Sequence, residues 1–511
     1  MNSLNSESKI SSTSSEINDD ILIDFFCNLL KKKKIQFLKD IQKFDIYDEE
    51  IDELNDENEY KDIDDEKLQK ILKNLTLNNK SDDAKIEILK KKKIIFQKLW
   101  PHFIRNAIRY LRFKDLRDRG NLKFDFGVKN LMDYFMEFSS FEELLFGIDE
   151  YYRDHSSHVF RVYLSGEFIV RKFLSNDYGD ITIFDQPEKK IENEEIIKYL
   201  KISKGEKGAI WCIIALCHDL GYPLQKIYNL NEKLSNILKY FGIYNFERVR
   251  FNLPQEGTML NEYIIKILSS KLVYISDDEF DFKVQSKFYT KFSNAYEKLN
   301  HGILSCVLLM KNLVFFKETD FKKNISKDKD KNYHINAKQY LLRREILRAI
   351  ASHDCLDIYH INAYNYPFLL IICDEIQEWN RPFSKKRIQY GWESDKSVVI
   401  QINSFNHKSI ELSMKIDLKP HEMKEYAEDK IRRFIRLLRS AVDSYKREFN
   451  FKMIIENNSN LKFEFIYTSP NEFYINNPFS FESPMYYNKP QVIKYENGIV
   501  DKDYLAKIIK I

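Results

Sequence analysis

The chain has 511 residues, more than one hydrophobic core usually supports, so two or three structural units are expected. A content of 43% hydrophobic and 14% aromatic residues with only 13 Gly and 11 Pro excludes wholesale disorder and a turn-rich all-β chain, and points to helices. Lys+Arg of 81 nearly cancels Asp+Glu of 78, which leaves no long-range field to draw the chain to nucleic acid or to an anionic membrane.

Residues 1–20, rich in Ser, Asn and acids, read as a disordered tail. They carry no basic n-region followed by an apolar h-region, and no apolar run in the chain approaches the roughly 18 residues of a membrane span. Neither secretion nor membrane insertion is expected. A helical N-terminal extension covers 21–135. Its Asp48–Lys85 stretch alternates acids and lysines with scattered leucines, the pattern of exposed and weakly packed helices, and the runs Lys31–Lys34 and Lys90–Lys93 read as solvated helix faces. The six cysteines, Cys27, Cys212, Cys217, Cys306, Cys355 and Cys373, sit mostly in apolar stretches and form no Cys-x-x-Cys pair, which fits a reduced, cytoplasmic protein.

From about Ile94 the aromatic and aliphatic density rises and apolar residues keep helical spacing to Ile376, which marks the main core; its central unit is expected over 136–385, and the charged stretches Lys189–Glu195 and Lys322–Lys331 within it read as surface loops. After Pro382 the pattern changes. Ser397–Ile402 and Ser409–Lys415 alternate as strands, an amphipathic helix follows over His421–Phe449, and Phe451–Ile455 and Leu461–Tyr467 are two more strands. Residues 386–511 are thus a small C-terminal α+β unit of ββαββ type with a packing or regulatory role. The fold class is mainly α.

Within the core, Ile210 to Cys217 is apolar all round and leads into His218-Asp219, with Gly221 and Pro223 expected to end the helix. An ionised aspartate delivered inward is expensive unless it meets a cation or several donors. The same arrangement recurs where Pro367 to Cys373 ends in Asp374, and where Ile346 to Ser352 ends in His353. His301 opens the apolar run Gly302-Ile303-Leu304, and His155 and His158 lie three apart in Arg153-Asp154-His155-Ser156-Ser157-His158, as neighbours on one helix face would. Five of the ten histidines fall in these segments. Any one of them reads equally well as a core histidine capping its helix. Together they read as metal ligands.

The order His, His-Asp, two separated histidines, then Asp resembles the HD-domain superfamily of metal-dependent phosphohydrolases, over roughly residues 140–385. His158-Val159-Phe160-Arg161-Val162 is similar to that family's opening motif, His218-Asp219 to its doublet, His301-Gly302 and His353 to the additional histidines of two-metal members, and Asp374 to its closing aspartate. The resemblance implies a helical HD-type core holding one or two divalent ions (Mn, Fe, Ni, Co, Mg or Zn). His158, His218, Asp219 and Asp374 would hold one, and His301 and His353 the second, with Asp219 bridging. Imidazoles suit first-row metals, and the two oxygens of a carboxylate suit a bridge. The implied activity is hydrolysis of a phosphoester in a nucleotide or another phosphorylated small molecule.

His155 can ligate, bind phosphate or pack. Arg161, Lys226 and Arg381 lie within a few residues of the ligands and are candidates for neutralising substrate phosphates. Gly221-Tyr222-Pro223 does not match the Gly-Tyr-Pro of the cyclic-dinucleotide subgroup, which lies well downstream of its doublet. Cys217 and Cys373 precede ligands but read as core. Two other readings stand beside this one: a phosphodiesterase acting on oligonucleotides, which the near-neutral charge disfavours, and a regulatory protein that binds a nucleotide without turnover.

Overall fold

The computed structural model describes residues 15–39, 65–73, 95–96, 99–111, 126–148, 152–183, 200–242, 255–276, 279–312, 332–355, 358, 364–381, 398–406, 408–442, 449–468, 472–476 and 491–494. Strand β1 (Ser15–Ile17) leads into α1 (Asp19–Lys31), the four-residue α2 (Gln36–Lys39) and α3 (Asp65–Lys73). After the helical stretch 99–111 come α4 (Phe126–Ile148), α5 (His158–Phe173), α6 (Lys204–Cys217), α7 (Tyr222–Leu238) and α8 (Gln255–Ser269). A hairpin, β2 (Ser270–Ser276) and β3 (Glu279–Val284), precedes α9 (Ser286–Glu297), α10 (His301–Asn312), α11 (Asn332–Asp354) and α12 (Tyr366–Ile376). Then follow β4 (Val398–Phe405), β5 (Ser409–Ile416), α13 (Pro420–Val442), β6 (Asn450–Asn457), β7 (Lys462–Thr468), β8 (Glu472–Asn476) and β9 (Gln491–Lys494). The described residues are mostly helical with one main sheet, and none of their helices is long and apolar enough to cross a membrane.

Local sequence explains where the central helices begin. Ser203 and Glu206 form a reciprocal capping box at the start of α6, and the Asn365 side chain accepts from Phe368 N at 3.1 Å at the start of α12, where Pro367 occupies the first turn. Every residue from Ala209 to Cys217 is fully buried, so α6 is the axis of the core, with α5, α11 and α12 packed around it. Trp211 closes one side by donating from Nε1 to Tyr163 O at 3.1 Å.

The described N-terminal segments pack on the core. Trp100 is buried, stacks on Phe135 at 4.3 Å and donates to Leu216 O at 2.8 Å, while Phe26 of α1 packs against Phe103 and Tyr163. The expected boundary at 135/136 falls inside α4, whose Leu131, Phe135 and Phe138 all join this core. Of the expected tail 1–20, residues 1–14 lie outside the described residues, whereas Ser15–Ile17 pairs with β4 and Asp19 is buried, so this part is structured. Lys31–Lys34 are exposed, as expected of a solvated face. Lys90–Lys93, Lys189–Glu195 and Lys322–Lys331 lie outside the described residues.

The ββαββ core of the C-terminal unit lies where its alternation places it, within a larger sheet of order β1-β4-β5-β6-β7-β8-β9. Among the described strands only β5 and β6 pair in parallel, and α13 makes the crossover that a parallel pair requires. The alternating burial of β4 to β7 turns one face of the sheet toward the interior. β1 was hidden from sequence reading because its partner is almost 400 residues away in the chain, a pairing of Ser15 with Ile402.

Asp19 ties these parts together. It is 3% exposed and accepts from Arg161 Nε at 2.9 Å, Arg161 Nη2 at 3.3 Å, Trp379 Nε1 at 2.8 Å and Asn380 Nδ2 at 3.1 Å. Removing one member of a buried ion pair strands the other charge. Asp19→Ala should therefore lower stability by about 3 kcal/mol in urea unfolding, and a loss within error of zero would show that Arg161 finds other compensation.

Candidate metal centre

Five chain segments deliver the candidate ligands. His158 opens α5, His218 caps the C-terminal end of α6, and Asp219 lies in the turn 218–221 that leads into α7. His301 opens α10, His353 is in the last turn of α11, and Asp374 is in the last turn of α12. Gly221 and Pro223 start the next helix as much as they end α6, with Gly221 as the N-cap of α7 and Pro223 in its first turn.

These six side chains converge. Asp219 Oδ2 lies 3.3 Å from His218 Nε2 and 3.8 Å from His158 Nε2, while its Oδ1 lies 3.4 Å from His301 Nε2 and 3.6 Å from His353 Nε2. Asp374 Oδ1 is 2.8 Å from His158 Nε2 and 3.9 Å from His218 Nε2. The ligand-type atoms of His158, His218 and Asp219 lie within 4.8 Å of one another, as do those of Asp219, His301 and His353. Two ligands bonded at 2.1 Å and subtending 90° to 109° stand about 3.0 to 3.4 Å apart, so the shorter spacings match ligands around a common ion.

Proton bookkeeping gives the stronger argument. The His218 Nδ1 donates to Ala215 O at 2.8 Å and the His353 Nδ1 donates to Ile350 O at 2.5 Å, both to carbonyls three residues back in a last helical turn. His158 Nδ1 meets Gln377 Oε1 at 2.5 Å, and that amide is oriented by its own donation to Trp379 O at 2.8 Å. His301 Nδ1 faces Gln225 Oε1 at 3.2 Å and Asp354 Oδ2 at 3.1 Å. The Nδ1 of each of these four rings is thus a donor, so a ring that carries a single proton turns a lone pair inward from Nε2. His301 and His353 then oppose two lone pairs at 2.9 Å, and His218 Nε2 is buried without a hydrogen-bond partner. A cation between them satisfies all of these atoms together, so the residues fit a metal.

Charge agrees. Burial alone would push the Asp219 carboxyl up, but the adjacent His218 imidazole, with His353 and His155, holds it well below the carboxylate range. Burial opposes ionisation of Asp374 too, and His158 followed by His218 brings it down. Burial and the Arg381 charge depress His158, leaving it a neutral ring, whereas Asp219 raises His218 against its burial.

The packing leaves no slack around the turn. A Cβ on Gly221 would lie 2.3 Å from His301 O, and one on Gly302 would lie 2.7 Å from Ile350 O, so both positions need glycine for close backbone approach. Ser305 sits at the junction, accepting from Gly221 N at 2.7 Å with its hydroxyl 2.7 Å from His218 O and 2.8 Å from His301 O.

Arg381 is beside the ligands, with Nη1 3.3 Å from His158 Nε2. His155 precedes α5 rather than sharing its face with His158, yet it remains near, with ring centroids 6.3 Å apart. Its ring stacks on Tyr222 at 3.8 Å, its Nδ1 lies 3.3 Å from Tyr152 Oη, and burial followed by the Arg381 charge keeps it neutral. Lys226 reaches the group through Tyr222, with Nζ 5.3 Å from that ring. Arg161 differs from expectation. Its guanidinium is engaged by Asp19 and lies 3.7 Å from Asp154 Oδ2, so it braces the fold instead of meeting phosphate. Sequence reading missed Gln225, Gln377, Asp354, Tyr222 and Ser305. Asp354 alone carried a visible signal, since it directly follows His353.

No family model, curated protein or solved structure matches the chain.

Because Asp219 contributes one oxygen to each ligand group, its removal should empty both. Metal analysis after loading with Mn²⁺ and desalting should find up to about two ions per wild-type chain and almost none in Asp219→Ala. Equal content in the two proteins would remove Asp219 from the bridge.

Proposed function

We propose that the chain is a divalent-metal-dependent phosphohydrolase of the HD type, acting in the cytoplasm on a phosphoester of a nucleotide or another phosphorylated small molecule. The single observation that carries this reading is the division of Asp219 between two histidine pairs, His158/His218 and His301/His353. His158, His218, Asp219 and Asp374 would hold one ion, and Asp219, His301 and His353 the second. Bound there, two divalent ions supply Lewis acidity, acidifying water and neutralising phosphate oxygens.

The chain's own groups complete the assignment. Arg381 is fixed by donation from Nε to Asp154 O at 2.8 Å, which leaves its Nη1 edge beside His158 to meet a phosphate oxygen. Lys226 offers a second positive charge beside Tyr222. Beside Lys226 is the stacked pair His155 and Tyr222, a neutral imidazole and a phenol able to hydrogen-bond a substrate oxygen or its leaving group. Glu142 steadies this wall, accepting from Tyr152 Oη at 2.8 Å and from His155 N at 2.6 Å. The six cysteines are free and buried, in keeping with a reducing compartment.

The test is a screen of purified protein against phosphomonoesters, nucleotides and cyclic dinucleotides with Mn²⁺, Fe²⁺, Ni²⁺, Co²⁺, Mg²⁺ and Zn²⁺. Turnover should appear only with metal. On the substrate so found, His353→Ala should lower kcat/KM by at least about a hundredfold, equivalent to roughly 2.7 kcal/mol, because it removes a ligand of the second ion alone. Near-normal turnover by a folded His353→Ala would mean that one ion suffices, and a folded, metal-loaded wild type inactive on the whole panel would favour a binding protein.

A further inference from the structure

We propose that Lys430, on α13 of the C-terminal unit, is a positioning residue for the half of the metal centre built by His158, His218 and Asp374. The inference rests on the metal-centre reading above.

The starting point is a mismatch on α12. Its last turn carries Asp374 and Glu375, and Glu378 follows just beyond, so three acids crowd the negative end of a helix dipole. Lys430 answers this from another part of the chain. It is 5% exposed, and its ammonium lies 2.5 Å from Glu378 Oε1, 3.0 Å from Glu375 Oε2 and 2.7 Å from Glu375 O. Three protons meet three acceptors, which is what a buried ammonium needs. Arg433 adds a contact to the other Glu375 oxygen at 3.1 Å.

From Glu378 the network runs to the ligands. Its Oε2 accepts from Arg153 Nη2 at 2.6 Å, Arg153 Nε donates to Arg381 O at 2.9 Å, and Arg381 Nε donates to Asp154 O at 2.8 Å. These bonds cross-link residues 153–158 with 374–381. The first segment presents His158, and the second presents Asp374, Arg381 and the Gln377 amide that orients His158. Lys430 fixes the outer end of that cross-link by holding both Glu375 and Glu378. His301 and His353 are held by a different set of contacts. Asn300 Nδ2 donates to Asp354 O at 3.0 Å, Ser305 lies against His301 O, and Gly302 seats α10 against Ile350 O. Loss of Lys430 should therefore weaken one half of the centre and spare the other.

Mn²⁺ binding by the full-length chain, measured by calorimetry in two backgrounds, separates the halves. His353→Ala leaves the His158 half, and His158→Ala leaves the His301 half. Lys430→Met should weaken Mn²⁺ binding by about tenfold or more in the His353→Ala background, leave it unchanged in the His158→Ala background, and be rescued by Lys430→Arg. Glu378→Gln, which keeps size and removes the charge between Lys430 and Arg153, should give the same selective loss and serves if Lys430→Met does not fold. Equal loss in both backgrounds, or no loss in either, would overturn the proposal. A wild-type chain that binds no Mn²⁺ would instead overturn the metal-centre reading itself, and this inference with it.

Discussion

A buried carboxylate surrounded by imidazole lone pairs is unstable unless positive charge is shared among them, and Asp219 is in that position. Its two oxygens face two histidine pairs whose outer nitrogens are already committed to carbonyl, amide and carboxylate acceptors. With one proton on each ring, the inward nitrogens can accept but not donate. A cation relieves this conflict at every atom, whereas protons would satisfy only some of them. Much of the surrounding structure follows from holding Asp219 in place: the apolar axis of α6 that carries the turn inward, the glycine that lets α10 approach it, and Ser305 against both ligand carbonyls.

The centre has two differently supported halves. His301 and His353 come from neighbouring helices, α10 and α11, which meet through Gly302 and fix their ligands largely by their own backbones. His158 and Asp374 come from segments more than 200 residues apart, held together by side chains: Gln377, Arg381, Arg153 and Glu378. Buried charge networks of this kind contribute little net stability but are sensitive to the loss of any one member. The same holds one layer out, where Asp19 and Arg161 join the first helix to the core. The first residues of the described structure and the C-terminal sheet are thereby linked to the turn that follows α12, through Trp379 and Asn380.

The candidate ligands stand out in the sequence because each ends or opens an apolar helix, a local pattern that a buried polar residue makes conspicuous. His218 after Ile210–Cys217 and Asp374 after Pro367–Cys373 are of this kind. The strands β4 to β7 were likewise visible in their alternation, and the crossover helix in its amphipathic period. What escaped reading depends on tertiary pairing. Gln377 looks like any helix-end glutamine until His158 arrives from 219 positions away, and Arg161 looks like a phosphate ligand until Asp19 claims it. The strand Ser15–Ile17 is only three residues long and finds its partner at Ile400–Ile402, so its polar sequence gave no hint of a sheet. The packing of the N-terminal segments is tertiary in the same way, since Trp100 and Phe26 show their partners only against helices far along the chain.

The central claim is that one carboxylate holds two ions side by side, and low-temperature electron paramagnetic resonance of the Mn²⁺-loaded protein tests it most directly. Ions bridged by Asp219 would stand about 3.5 to 4 Å apart and couple magnetically, so the fully loaded chain should give the multiline spectrum of a spin-coupled pair. A spectrum of isolated six-line Mn²⁺ at every loading up to saturation would contradict a bridged centre.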